Sequence, residues 1–197
     1  MVKTQKKTGH QKTILLMLWC LVTLSVSAQK IQSVSFSIQT ESISVPFTRI
    51  GEVHPGIEIG FTLNEKVKKN STRRWNGYVG WFYHQDFDQS FYLRGDYEFA
   101  YEIKNAVAFH LPIGIGYMHS FHPKPVYEQN GDGSFSEKNQ TGRPHGIFNV
   151  GLGLSYLKLN RVTPFIRYDV VAQAPFVATV PVAPRNFLKI GSSIQLR

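Results

Sequence analysis

Residues 91–101 restrict this chain more than any other stretch. Phe91, Leu93, Gly95, Tyr97, Phe99 and Tyr101 take the odd positions, and Tyr92, Arg94, Asp96, Glu98 and Ala100 take the even ones. A β-strand sends successive side chains to opposite faces, so the segment has one apolar, aromatic face and one face rich in charge. A soluble strand hides the first face in a core and wets the second. A transmembrane barrel strand does the reverse, turning the apolar face to lipid and the charged face to the lumen.

The same alternation recurs along the chain, with turn signals between the repeats. Residues 33–45 form the least regular strand, because Val34, Phe36 and Ile38 share one face and Ile43 and Val45 the other; a bulge at residues 40–42 would reconcile them. Clean alternation follows at 57–63, 75–83, 91–101, 107–117, 148–156, 164–174 and 187–196. Pro112 lies inside the fifth of these eight strands. It has no N–H for a ladder, which predicts a local irregularity there. Between strands, 64–74 reads as a polar basic link, 84–90 as a short link, Lys104-Asn105 as a tight turn and 122–144 as the longest loop. Residues 159–161 read as a turn and 176–185 as a proline-rich link.

The first 28 residues read as a secretory signal peptide, leaving 29–197 as one β-barrel domain. Lys3, Lys6, Lys7 and Lys12 precede an apolar run from Ile14 to Val26, and Val26-Ser27-Ala28 is a small-residue cleavage pattern. The run is shorter than the ~20 residues a membrane helix needs. Removing the leader removes Cys20, the single cysteine, and with it any disulfide. It also removes four lysines, taking the formal charge from +9 to +5. An exported chain with so modest a charge points away from nucleic acid as a partner.

Three features favour lipid over a dry core as the neighbour of the apolar faces. Strands two to eight carry no Asp, Glu, Lys or Arg on those faces. Aromatic residues gather at their ends: Trp75, Tyr101 and Tyr156 at one rim, and Tyr83, Phe91, Tyr117 and Phe148 at the other. Such residues form the girdles of a barrel at its two interfaces. Tight turns also fall at one end and long loops at the other. The fold expected is all-β: an eight-stranded antiparallel up-and-down transmembrane β-barrel. With these strands, girdle residues and C-terminal strand, residues 33–197 resemble the small bacterial outer-membrane barrels of the adhesion/invasion type and the transmembrane domain of outer-membrane protein A. The resemblance implies an outer-membrane location and a monomer. It also implies outer-membrane lipid, lipopolysaccharide among it, and the β-barrel assembly machinery as partners. The chain departs from the pattern at its end, Leu196-Arg197, where such proteins often carry a terminal aromatic residue.

The inward faces supply Glu58, Arg94, Asp96, Glu98, Glu102, His110, Arg167, Asp169 and Lys189. Eight strands enclose just enough room for side chains, so these groups are expected to pair into a network that fills the lumen. No cofactor is expected. No metal site is expected either, because His119, His122 and His145 do not converge at these spacings. The function expected is structural or surface-interacting, with the long loops as the contact surface. One alternative is a lipid-modifying enzyme of the same architecture, of the lipid A deacylase or acyltransferase kind, for which His119-Ser120 and His145 with Asn149 are the nearest candidates. Another is a soluble exported lipocalin-like ligand binder, which would bury Phe99, Leu111 and Leu152 and leave Arg94, Asp96 and Arg167 in water.

Overall fold

The computed structural model describes residues 30–44, 52–85, 87–125, 127–131, 133–137, 141–159, 161–176 and 180–196. The leader expected over residues 1–28 therefore lies outside the described residues. Eight long strands close into one barrel: β1 (Ser33–Ser42), β2 (His54–Lys68), β3 (Ser71–His84), β4 (Asp88–Ile103), β5 (Val107–Phe121), β8 (Arg143–Tyr156), β9 (Val162–Ala174) and β10 (Ala183–Gln195). Each pairs antiparallel with its neighbours in the chain, and β1 closes on β10. Two short strands, β6 (Tyr127–Gln129) and β7 (Phe135–Glu137), form a separate hairpin within the link from β5 to β8. No helix occurs among the described residues.

The burial pattern is inside-out. Phe99, Leu111 and Leu152 are 38%, 41% and 56% exposed, whereas Arg94, Asp96 and Arg167 are 2%, 0% and 5% exposed. Along β4 the alternation is nearly unbroken, with Phe91, Leu93, Tyr97, Phe99 and Tyr101 outside and Tyr92, Arg94, Asp96 and Glu98 inside. This is the arrangement of a transmembrane barrel, and it overturns the lipocalin-like alternative, whose apolar side chains would converge on a dry centre.

Short turns occupy one end. Lys69-Asn70 joins β2 to β3, and Lys104 and Asn105, both with positive φ (49° and 51°), begin the turn into β5. The other end carries the links 43–53, 85–87, 122–142 and 175–182. The expected basic link 64–74 is therefore corrected: β2 and β3 run on through it to a two-residue turn. The irregularity expected at residues 40–42 is also displaced. β1 keeps register with both neighbours throughout, and the shift falls between Thr62 and Asn64 on β2. One extra residue, Leu63, reverses the parity beyond it, so Glu65 turns inward while Lys66 and Lys68 face out. The disturbance expected at Pro112 is present. β5 pairs with β4 without a break, but its ladder to β8 lapses between His110–Gly153 and Ile113–Val150.

Candidate functional site

The barrel interior is stacked in layers, and the inward positions of β4 pass through all of them: Asp88, Ser90, Tyr92, Arg94, Asp96 and Glu98, from the loop end towards the turn end. The middle layer holds three acids and three bases. Lys189 Nζ binds Glu58 and lies 2.9 Å from Asp169. Arg94 reaches Glu58 at 3.2 Å, Asp96 at 3.1 Å and Asp169 at 3.2 Å. Arg167 reaches Glu58 at 2.6 Å and Asp169 at 3.3 Å. Three positive charges thus meet three negative ones, all away from solvent, which is the condition on which buried charge persists. Tyr92 donates its hydroxyl to Glu58 at 2.7 Å, and the ring of Tyr78 lies under both guanidinium groups, 4.9 Å from Arg94 and 4.7 Å from Arg167.

Towards the turn end, Glu98 forms an ion pair with Arg74, whose Nε lies 2.9 Å away, and accepts from His110 Nδ1 at 2.8 Å and Asn76 at 3.3 Å. The other ring nitrogen of His110 lies 2.7 Å from the Ser155 hydroxyl. Glu65, turned inward by the bulge, adds a longer contact to Arg74 at 3.9 Å. These groups line a cavity of about 130 Å³, whose wall also includes Thr72, Glu102 and Gln195.

Above the middle layer the interior is apolar: Phe82, Tyr92, Met118, Ile147, Val171 and Phe187 form one buried cluster. The expectation of a wholly polar filling is corrected to this extent. Above it, at the loop end, Arg185 is fully buried and donates to Glu41 at 2.8 Å, to Asp88 at 2.6 and 3.2 Å, and to Gln173. His84 Nδ1 donates to the same Glu41 at 2.8 Å.

The structure brings Glu58, Arg94, Asp96, Arg167, Asp169 and Lys189 together, and places Glu98 with His110 in the layer beneath. It adds Glu41, Arg74, Asp88 and Arg185, which the sequence reading left to links or to a bulge. Their signal was parity: Arg185 is in phase with Lys189, Asp88 with Arg94, and Arg74 with Asn76. The apolar stripe stops before the ladder does, so boundaries drawn from the stripe fall short.

On the outside, Trp75, Phe91, Tyr101, Tyr117, Phe148 and Tyr156 are exposed and Tyr83 is half-buried. Tyr101 pairs with Phe109 near the turn end, and Phe91 pairs with Trp81 and His119 near the loop end. Trp75 packs on Tyr97 with ring centroids 5.0 Å apart and ends the apolar stripe of β3, which continues outward as Arg73.

The candidate catalytic groups at the outer rim stay apart. Ser120 points inward and accepts from Ser90 at 2.8 Å, whereas His119, on the other face, bonds the Tyr117 hydroxyl and the Thr141 carbonyl. His145 donates to the Pro175 carbonyl at 2.6 Å, and Asn149 donates to Asp96 in the middle layer. His122 turns back on the backbone of Lys124.

No protein-family model and no curated protein matches the sequence. Solved structures do match. Neisserial surface protein A shares 13% identity over 83% of this chain and 95% of its own, with a TM-score of 0.57. Ail, the attachment invasion locus protein of Yersinia pestis, shares 10% identity over 85% of this chain and 100% of its own, with a TM-score of 0.51. At such identities the likeness is one of fold: the chain has the architecture of the small eight-stranded outer-membrane β-barrels.

Proposed function

We propose that this protein is an integral outer-membrane barrel with a structural or surface-interaction role, exported by a leader cleaved after Ala28 and inserted by the β-barrel assembly machinery. The inside-out burial carries the reading: apolar side chains cover the outer wall while an ion-paired interior fills the centre. The filled centre argues against solute passage and puts any recognition at the loop end. There Tyr127 and Phe135, on the β6–β7 hairpin, are 61% and 69% exposed, and Val180 and Val182, in the link from β9 to β10 at the same end, are exposed as well. Aromatic side chains held in solvent by a loop hairpin suit contact with a partner or with lipopolysaccharide. Cell fractionation tests the location. The protein is expected to float with outer membranes, to begin at Gln29 and to migrate differently on unboiled gels; recovery in the soluble periplasm would overturn the reading. Replacing residues 127–137 by a Gly-Ser linker is expected to leave that migration unchanged and to abolish retention on lipopolysaccharide-coated beads.

A second reading rests on Ser155, His110 and Glu98. Hydroxyl to imidazole is 2.7 Å and imidazole to carboxylate 2.8 Å, the spacing of a nucleophile, its base and an orienting acid. The relay faces the turn-end cavity and not the lipid, so its substrate would be a small soluble ester. A fluorophosphonate probe would label wild type and spare Ser155→Ala; absence of labelling in folded wild type removes this reading.

A further inference from the structure

The outer wall carries a feature that neither reading above uses. Gly77 on β3 and Gly95 on β4 sit directly opposite each other, both at outward positions. A Cβ added at either would meet no atom within 4 Å, which holds for no other glycine of the barrel strands among the described residues. Glycine weakens a strand interior, and it marks a bulge, a bend or the close approach of a ligand. The β3–β4 ladder runs through this pair without a register shift, so no bulge accounts for it. The pair leaves a dent in the wall. Trp75 and Tyr97, with ring centroids 5.0 Å apart, bound it towards the turn end, and Val79 and Leu93 bound it towards the loop end.

Cations lie beyond the aromatic pair on the same face. Arg73 is the next outward residue of β3, and Lys66 is its partner across the ladder to β2. Lys68 follows one outward position nearer the turn. All three are exposed, and none pairs with an acid among the described residues. Glu65, Glu98 and Glu102, the acids of this end, line the cavity inside the barrel. The outward face of the β2–β3 hairpin therefore carries three positive charges and no negative one.

We propose that dent, rings and cations together form a binding site for one glycerophospholipid with a net negative headgroup, of the phosphatidylglycerol kind. The site rests on the outer-membrane reading above. Four residues separate Arg73 from Gly77, about 13 Å along a strand. A phosphate held by Arg73 and Lys66 then lies outside the aromatic girdle, its glycerol passes Trp75, and one acyl chain enters the dent.

Charge chooses among the occupants. A zwitterionic headgroup brings an ammonium of its own to three cations. A second copy of this chain, related by a two-fold axis along the membrane normal, brings the same cations to the same depth. Lipopolysaccharide belongs to the leaflet of the long loops, whereas these cations stand at the turn end.

Trp75 reports on the site. In Trp19→Phe/Trp81→Phe protein it is the single tryptophan. The protein is reconstituted in phosphatidylcholine vesicles containing a minor fraction of brominated phosphatidylglycerol. Quenching of Trp75 is expected to exceed that fraction, whereas brominated phosphatidylcholine at the same fraction quenches in proportion to it. A cation at the membrane surface is worth about fivefold in the attraction of an anionic lipid. Lys66→Gln/Arg73→Gln should therefore remove the excess, while Lys104→Gln/Lys158→Gln, in two other turns of the same end, leaves it. Gly77→Val/Gly95→Val, for which each Cβ has open space, should remove the excess and keep the heat-modifiable form. Should the single-tryptophan variant fail to fold, the natural sequence decides, because Trp75 and Trp81 share the outer face of β3. Proportional quenching by both lipids in inserted protein would overturn the site, as would an excess that survives either the Lys66/Arg73 or the Gly77/Gly95 replacements. A protein that does not enter vesicles at all would instead remove the outer-membrane reading, and the site with it.

Discussion

Glu58 carries the ion network of the middle layer. One carboxylate receives Lys189, Arg94, Arg167 and the Tyr92 hydroxyl, all inside the wall. Glu58→Gln would keep the shape and leave three cations facing two acids. Breaking a buried pair from one side costs about 3–5 kcal/mol, so the variant should unfold at markedly lower denaturant in micelles, followed by tryptophan fluorescence. Adding Lys189→Met removes one charge of the opposite sign and is expected to restore part of the loss. If the double variant were as unstable as the sum of the two single ones, charge balance would not be what holds this layer.

At the scale of strands, the outer wall and the ladder make separate demands. Leu152, at the centre of β8, is 56% exposed; Leu152→Arg is expected to cost about 2–4 kcal/mol in lipid vesicles. Lys66→Ala, outward on β2 close to its turn, should change stability by less than about 1 kcal/mol. Gly151 faces inward opposite the lapse at Pro112. A Cβ there would run into Asp169 Oδ1 and lie 3.0 Å from the Pro112 ring. Asp169 is pinned by Lys189, Arg94 and Arg167 and cannot retreat, so Gly151→Val is expected to abolish the heat-modifiable form on unboiled gels.

The strands were legible in the sequence because one period ruled both faces. Residues 91–101 and 107–117 declared their faces outright, and Pro112 declared its irregularity. The bulge at Leu63 was hidden, since Ile57, Ile59, Phe61 and Leu63 alternate as if nothing intervened and the parity changes only beyond them. The extra turns of β2, β3, β4 and β10 were hidden for a related reason. Hydrophobic patterning reports where the apolar surround ends, whereas hydrogen bonding continues past it, by five residues at the end of β2. Arg74, Asp88 and Arg185 sit in that margin, so the apolar stripe alone missed the loop-end layer, which only inward parity carried past the end of the stripe could show.

For the whole molecule, the claim beneath all the others is that hydrocarbon touches the outer wall and paired charge fills the middle. Single cysteines at 148–154, introduced one at a time into a Cys20→Ser chain, spin-labelled and reconstituted in bilayers, measure this directly through collision with oxygen. Accessibility should peak at positions 148, 150, 152 and 154 and fall at 149, 151 and 153, with polar relaxation agents excluded from the peaks. A profile of opposite phase, or one in which the even positions meet the aqueous agent instead of oxygen, would contradict the account.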